Sequence, residues 1–199
     1  QTYRNGIVHR LDKDTSGVLL IAKTVEAYRE LQRQFKERET GKVYVALVHG
    51  RVEKDGEVDA SVGRLPWNRT RFGVFPGGKQ ARTRYSVVAH FNARKGPFDS
   101  AQDLRRGMNS AIPGGLTLLE LYPETGRTHQ LRVHLKHIGH PIVSDTFYAG
   151  RKTARNDLKW CPRLFLHAKS LEFKHPVTGE AMKYEAPLSE ELQNVLKVL

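Results

Sequence analysis

Residues 42–50, KVYVALVHG, are apolar on both of their alternating sets: Val43, Val45 and Leu47 on one, Tyr44, Ala46 and Val48 on the other. Side chains of a strand alternate between faces, so a segment greasy on both must lie inside a sheet that is covered on both sides. That requirement rules out a simple two-layer hairpin protein and calls for helices to supply the cover. The rest of the chain offers the parts. Thr24 is an N-cap ahead of VEAYRELQRQFKER, a helix of about 14 residues with Tyr28, Leu31 and Phe35 on one face and Arg29, Arg33 and Lys36 on the other. TRYSVVAHF (83–91) and LTLLELY (116–122) are expected to pair. The tail alternates as two strands around HPVTGE and closes with the amphipathic helix ELQNVLKVL. Strands and helices interleave without a βαβ rhythm, so the fold class is α+β, a mixed sheet with helices packed on it.

Two further strands are expected near the start, at 6–9 and, as a buried one, at 17–23 (GVLLIAK). RLPWNRTRFGVFPGGK reads as an exposed loop or hairpin in which Trp67, Phe72 and Phe75 alternate with Arg64, Arg69 and Arg71. That pattern suits stacking on unpaired bases, and it equally suits an ordinary amphipathic hairpin. Residues 92–115 are too long and polar for a tight turn and are expected to form a flexible insertion. In ETGRTHQLRVHLKHIGHPIVSD, Leu131, Leu135 and Ile138 mark a helix with an apolar stripe. Arg127, His129, Gln130, Arg132 and His134 fall on its other faces, and Gly139 can end it.

Charge narrows the function. The 199 residues carry 33 Lys and Arg against 21 Asp and Glu, a net +12 spread along the chain rather than held in a tail. Such a surface attracts polyanions, and a basic RNA-binding or ribosome-associated protein fits it as well as an enzyme does. The longest apolar run, 18–22, is far short of the roughly 20 residues that cross a bilayer, so no membrane association is expected. The lone Cys161 has no internal partner, which suits a reducing, cytoplasmic compartment, and it reads as a packed thiol. His129, His134, His137 and His140 crowd one helix and its exit, but without HExxH spacing, paired cysteines or a carboxylate on that helix, and no metal site is expected. A ribonuclease using His129 and His134 as acid and base stays open, whereas no phosphate-cradling glycine motif supports nucleotide chemistry.

The remaining oddity is HRLDKDTSG, residues 9–17, two carboxylates set among cations. An aspartate beside an arginine can be a nucleophile or half of a structural ion pair. On residue type alone Tyr44 reads as core and Arg132 as a surface cation.

Taken in order, HRLDKDTSGVLLIAKT, KVYVAL, ETGRTHQLRVHLKHIGHPIVSD and RLFLHAKSLEF resemble the RluA/RluD type of pseudouridine synthase, over nearly the whole chain. The resemblance implies a catalytic domain on a long, mostly antiparallel sheet with a central RNA-binding cleft, working without cofactor or metal, as a monomer. It implies Asp12 as catalytic aspartate, Tyr44 as active-site tyrosine and Arg132 as the basic partner of Asp12. It further implies RNA contacts from Arg10, Arg127, His129 and Gln130, with Arg10 a candidate to fill the space left by a flipped base. Large-subunit ribosomal RNA is the expected substrate, transfer RNA the alternative. Asp14 falls on a variable position of the motif and is expected to shape the loop through local side-chain bonds. The family's strand and KPxG-type motif ahead of HRLD have no counterpart, so the catalytic domain is expected to lack its N-terminal portion.

Overall fold

The computed structural model describes residues 4–91 and 114–199; the expected insertion at 92–115 lies, up to residue 113, outside them. A seven-stranded sheet runs β1 (Ser16–Gly17), β8 (Leu166–Lys174), β2 (Gly41–His49), β7 (Leu116–Pro123), β6 (Arg82–Phe91), β3 (Gly56–Asp59), with β9 (Ala181–Glu185) also on β8. All pairings are antiparallel except β1 with β8. A separate hairpin joins β4 (Val62–Leu65) to β5 (Asn68–Val74). Among the described residues the helices are α1 (Val25–Glu37), α2 (Gln130–His137), α3 (Arg151–Asp157) and α4 (Glu190–Lys197). None among the described residues is long and apolar enough to cross a membrane.

β2 is the interior strand that its pattern demands, held between β7 and β8 with Ala46, Leu47 and Val48 fully buried. They join Leu131 and Leu135 of α2 and Leu192 and Val195 of α4 in the main core. Burying a side chain such as Leu47 or Val48 is worth roughly 1.5–3 kcal/mol, which fixes the register of this strand. A smaller core forms where Tyr28 and Leu31 of α1 meet Leu171 and Phe173 of β8. Thr24 caps α1 as its sequence suggests, its Oγ1 accepting from Ala27 N at 3.2 Å.

Two expected strands are not there. Gly17–Lys23 keeps strand alternation, with Val18, Leu20 and Ala22 facing the smaller core, but Leu19 and Ile21 are about half exposed and only Ser16–Gly17 forms a ladder. Residues 6–9 likewise contribute one bridge, Ile7 to Ile21, after a 3-10 turn at Arg4–Gly6. The reason is local: His9 Nε2 accepts the Leu20 N–H at 2.8 Å, so a side chain takes the donor a strand partner would use. β3 and α3 lie in stretches whose sequence carries little periodicity.

Candidate active site

Four chain segments converge on one cleft. The HRLD loop is fastened to the sheet through Ser16 and Gly17, which pair with His167 and Ala168 of the RLFLHA segment. Gly17 sits at φ 116 with Ala168 O only 2.1 Å from where a Cβ would stand, so no other residue fits. Asp14 turns the loop with a left-handed backbone (φ 67), and its carbonyl accepts from Arg163 Nη2 at 3.1 Å. Loop shaping therefore comes from the backbone of Asp14 rather than from the side-chain bonds expected of it.

β2 brings Lys42 and Tyr44 to the cleft. Its register on β8 shifts between Val43 and Tyr44, pairing them with Ser170 and Ala168, the kind of bulge that re-aims a side chain. The lining of this open cleft includes Arg10, Asp12, Lys42, Tyr44, Arg127 and His129. Burial first, and then the charge of Asp12, push the Tyr44 hydroxyl up to about 12. A tyrosine so placed stays protonated at neutral pH, which removes it as a general base and leaves it to stack or to donate.

Arg132 is not the surface cation its residue type suggested: it is 5% exposed on α2. Its Nε and Nη2 donate to Asp145 Oδ2 and Oδ1 at 2.8 and 2.9 Å, a bidentate pair, while Nη1 lies 3.5 Å from Asp12 Oδ2. The guanidinium also lies 5.0 Å from the Tyr148 ring centre and 5.5 Å from that of Phe147. Burial works against its charge, but the bonds to Asp145 and the charges of Asp145 and Asp12 outweigh it and hold Arg132 above its ordinary value. Asp145 is fixed in turn by the backbone N–H groups of Phe147 and Tyr148, at 2.9 and 3.0 Å. Its neighbour Ser144, left-handed at φ 59, donates its N–H to Asp157, which also meets His49 Nε2 at 2.9 Å. Sequence reasoning missed Asp145, Phe147 and Tyr148. The only signal was an acid closing the GHPIVSD stretch, and nothing about its spacing pointed to Arg132.

The polar residues around α2 divide sharply. His129, also left-handed (φ 56), shares a 2.7 Å hydrogen bond through Nδ1 with Tyr148 Oη, and burial is the main cause that lowers its pKa. Arg127 donates Nε to Gln80 O at 3.2 Å and lines the cleft. Gln130, expected to touch RNA, is buried and spent. Its Oε1 accepts from Thr125 Oγ1 and Arg127 N, and its Nε2 donates to Arg82 O and Thr83 Oγ1. No donor or acceptor of that amide is left for a ligand. His134 is equally committed: fully buried, Nε2 donating to Ala60 O and Nδ1 bonded to Thr83 Oγ1. A ribonuclease relying on His134 loses its second histidine here. His9 is held neutral, its pKa lowered to about 4 by burial and then by Lys42. Cys161 is buried and pushed up to about 11, the packed thiol expected.

A family profile described as RNA pseudouridylate synthase matches residues 1–137, the stretch that carries Asp12, Tyr44 and Arg132. The chain belongs to the RNA pseudouridylate synthase family. Members it resembles include ribosomal large subunit pseudouridine synthase D of Nitrosomonas europaea, 43% identical over 100% of this chain and 52% of that protein. An uncharacterized RNA pseudouridine synthase of Chloroflexus aurantiacus is 42% identical over 98% and 54%. Among solved structures, human RNA pseudouridylate synthase domain containing 1 superposes with a TM-score of 0.72 at 28% identity, covering 90% of this chain and 67% of that one. The chain spans about half the length of the curated relatives it matches. Within the pseudouridylate synthase family fold, the α+β class and mostly antiparallel sheet expected from the sequence are what the structure has.

Proposed function

We propose that this domain isomerises uridine to pseudouridine in RNA, with large-subunit ribosomal RNA as the substrate and transfer RNA as the alternative. The observation that carries the reading is the run of ion pairs Asp145–Arg132–Asp12, whose last member lines a cleft shared with Arg10, Lys42 and Arg127. Arg132 gives its two best hydrogen bonds to Asp145 and only a 3.5 Å contact to Asp12. Asp12 is thereby positioned without being consumed, and its carboxylate keeps lone pairs for an incoming carbon.

A stacked uridine must first be flipped into the cleft, at a cost of a few kcal/mol that phosphate and base contacts offset. Arg10, exposed beside Asp12 and lining the cleft, is the residue for the vacated space. Asp12 attacks ribose C1′ or base C6; both routes use the same carboxylate. The N1–C1′ bond breaks, the uracil turns, a C5–C1′ bond forms, and the bond between Asp12 and the nucleoside breaks to return the free carboxylate. C5 loses a proton, N1 gains one, and the atoms balance with no co-reactant. Tyr44, neutral for the reasons above, stacks on the base.

RNA carrying 5-tritiated uridine distinguishes the readings. Isomerisation releases tritium to water and leaves RNA length and mass otherwise unchanged. Shortened RNA would point to a nuclease, and RNA bound without any chemical change to a plain binding protein. Ribosomal and transfer RNA offered separately identify the substrate.

A further inference from the structure

The cations of the sheet and of the cleft differ in whether a carboxylate answers them. Arg82 and Arg84 meet Glu57 and Glu124, and Lys183 meets Glu172 and Glu185. Among the described residues, Arg38 and Lys42, like Arg10 and Arg127 of the cleft lining, lie within ion-pair distance of no carboxylate. Lys42 is nonetheless half-buried, and its pKa is lowered by that burial and then by the charge of Arg38. Two like charges brought together, one of them half-buried, cost free energy in the empty protein.

The space beside them continues the active site. Lys42 lines the cleft of Asp12 and Tyr44, the adjoining groove with Arg10, Lys36, Arg38 and Arg127, and a third groove beyond Arg38. The acids bordering the outer grooves, Glu124 and Glu172, are already engaged with Arg84 and Lys183. Arg38 is held in place by the helix end itself, a left-handed C-cap (φ 62) whose N–H donates to Gln34 O.

We infer that Arg38 and Lys42 form a seat for a backbone phosphate of the RNA strand next to the flipped nucleotide, two residues along β2 from Tyr44. The inference rests on the RNA-modifying reading of the cleft and adds to it the place where the strand leaves. A phosphodiester supplies the anion that the protein withholds.

The test uses the full-length protein and a fluorescein-labelled single-stranded oligouridylate, with affinity measured across a series of salt concentrations. Lys42→Gln and Arg38→Gln are each expected to flatten the slope of log affinity against log salt by about 1, as loss of one phosphate contact does. Lys197→Gln, at the far end of α4, leaves the slope as it is. Thermal unfolding without RNA separates this from misfolding: Lys42→Gln is expected to be as stable as the parent or more so, because an unanswered charge is removed. In the tritium assay KM is expected to rise several-fold more than kcat falls, and Lys42→Arg to recover most of the loss. Unchanged salt slopes in both variants, or a less stable Lys42→Gln protein, would overturn the seat while tritium release by the parent still upheld isomerisation. A parent that binds the oligouridylate and releases no tritium from any RNA would overturn the isomerase reading instead.

Discussion

The two sides of the cleft treat positive charge in opposite ways. On the α2 side Arg132 is buried, bidentate to Asp145, flanked by two aromatic rings and backed by a loop that Asp157 pins through Ser144. On the side of β2 and the end of α1, Arg38 and Lys42 are left without a carboxylate. The first arrangement builds a cation into the fold and fixes what stands beside it, namely Asp12. The second leaves charge to be answered by a ligand. In a basic protein, then, the position of a cation says little until its partner is known.

The comparison breaks most visibly at Asp145. Asp145→Ala leaves Arg132 buried with only a 3.5 Å contact to Asp12, and stability is expected to fall by about 3–5 kcal/mol in urea unfolding. A drop of under about 1 kcal/mol would mean that Arg132 finds water and is not built in.

Gln130 tests the wall between the two sides. Gln130→Leu keeps the volume but strands the groups that its amide satisfies on Thr125, Arg127, Arg82 and Thr83. A loss of about 2–3 kcal/mol is expected. If stability held and RNA affinity fell instead, Gln130 would be a ligand contact after all.

A pH series sharpens the picture on the β2 side. His9 stays neutral in the fold, its pKa lowered to about 4, against 6.5 when unfolded. Between those values the unfolded chain takes up a proton that the folded one refuses, so stability is intact above pH 6.5 and declines as pH falls toward 4. By pH 5 the decline is expected to reach about 1–2 kcal/mol. His134, whose pKa is also lowered chiefly by burial, adds in the same direction. His9→Asn, measured at pH 7 and pH 5, should reduce the difference between the two; an undiminished difference assigns it to other groups. Least affected is Asp14, exposed and joined to its surroundings through its backbone carbonyl. Asp14→Asn is expected to change stability by under about 0.5 kcal/mol and to leave tritium release near the parent's.

Apolar spacing made much of the fold legible in advance. β2, the Thr24-capped α1, the β6–β7 pair and the β8–β9 hairpin all follow from periodicity that burial enforces. Residues 17–23 misled because alternation records which face is covered and not whether a neighbouring backbone is present to pair. The site was legible only in part. Asp12, Tyr44 and Arg132 came from ordered motifs, and the structure places Asp12 and Tyr44 on one cleft with Arg132 Nη1 3.5 Å from Asp12 Oδ2. The pairing of Asp145 with Arg132 and the burial of Gln130 and His134 depend on contacts up to 74 residues apart. Pairing of that kind leaves no period in a sequence, and a polar residue committed to the core looks there like one free to bind.

The central claim is that Asp12 carries the chemistry while the basic cleft around it carries binding. Asp12→Asn, assayed beside the parent for tritium release from 5-tritiated uridine RNA and for affinity to the same RNA, tests it most directly. Release is expected to be abolished and affinity retained. Release at the parent's rate from Asp12→Asn would contradict it.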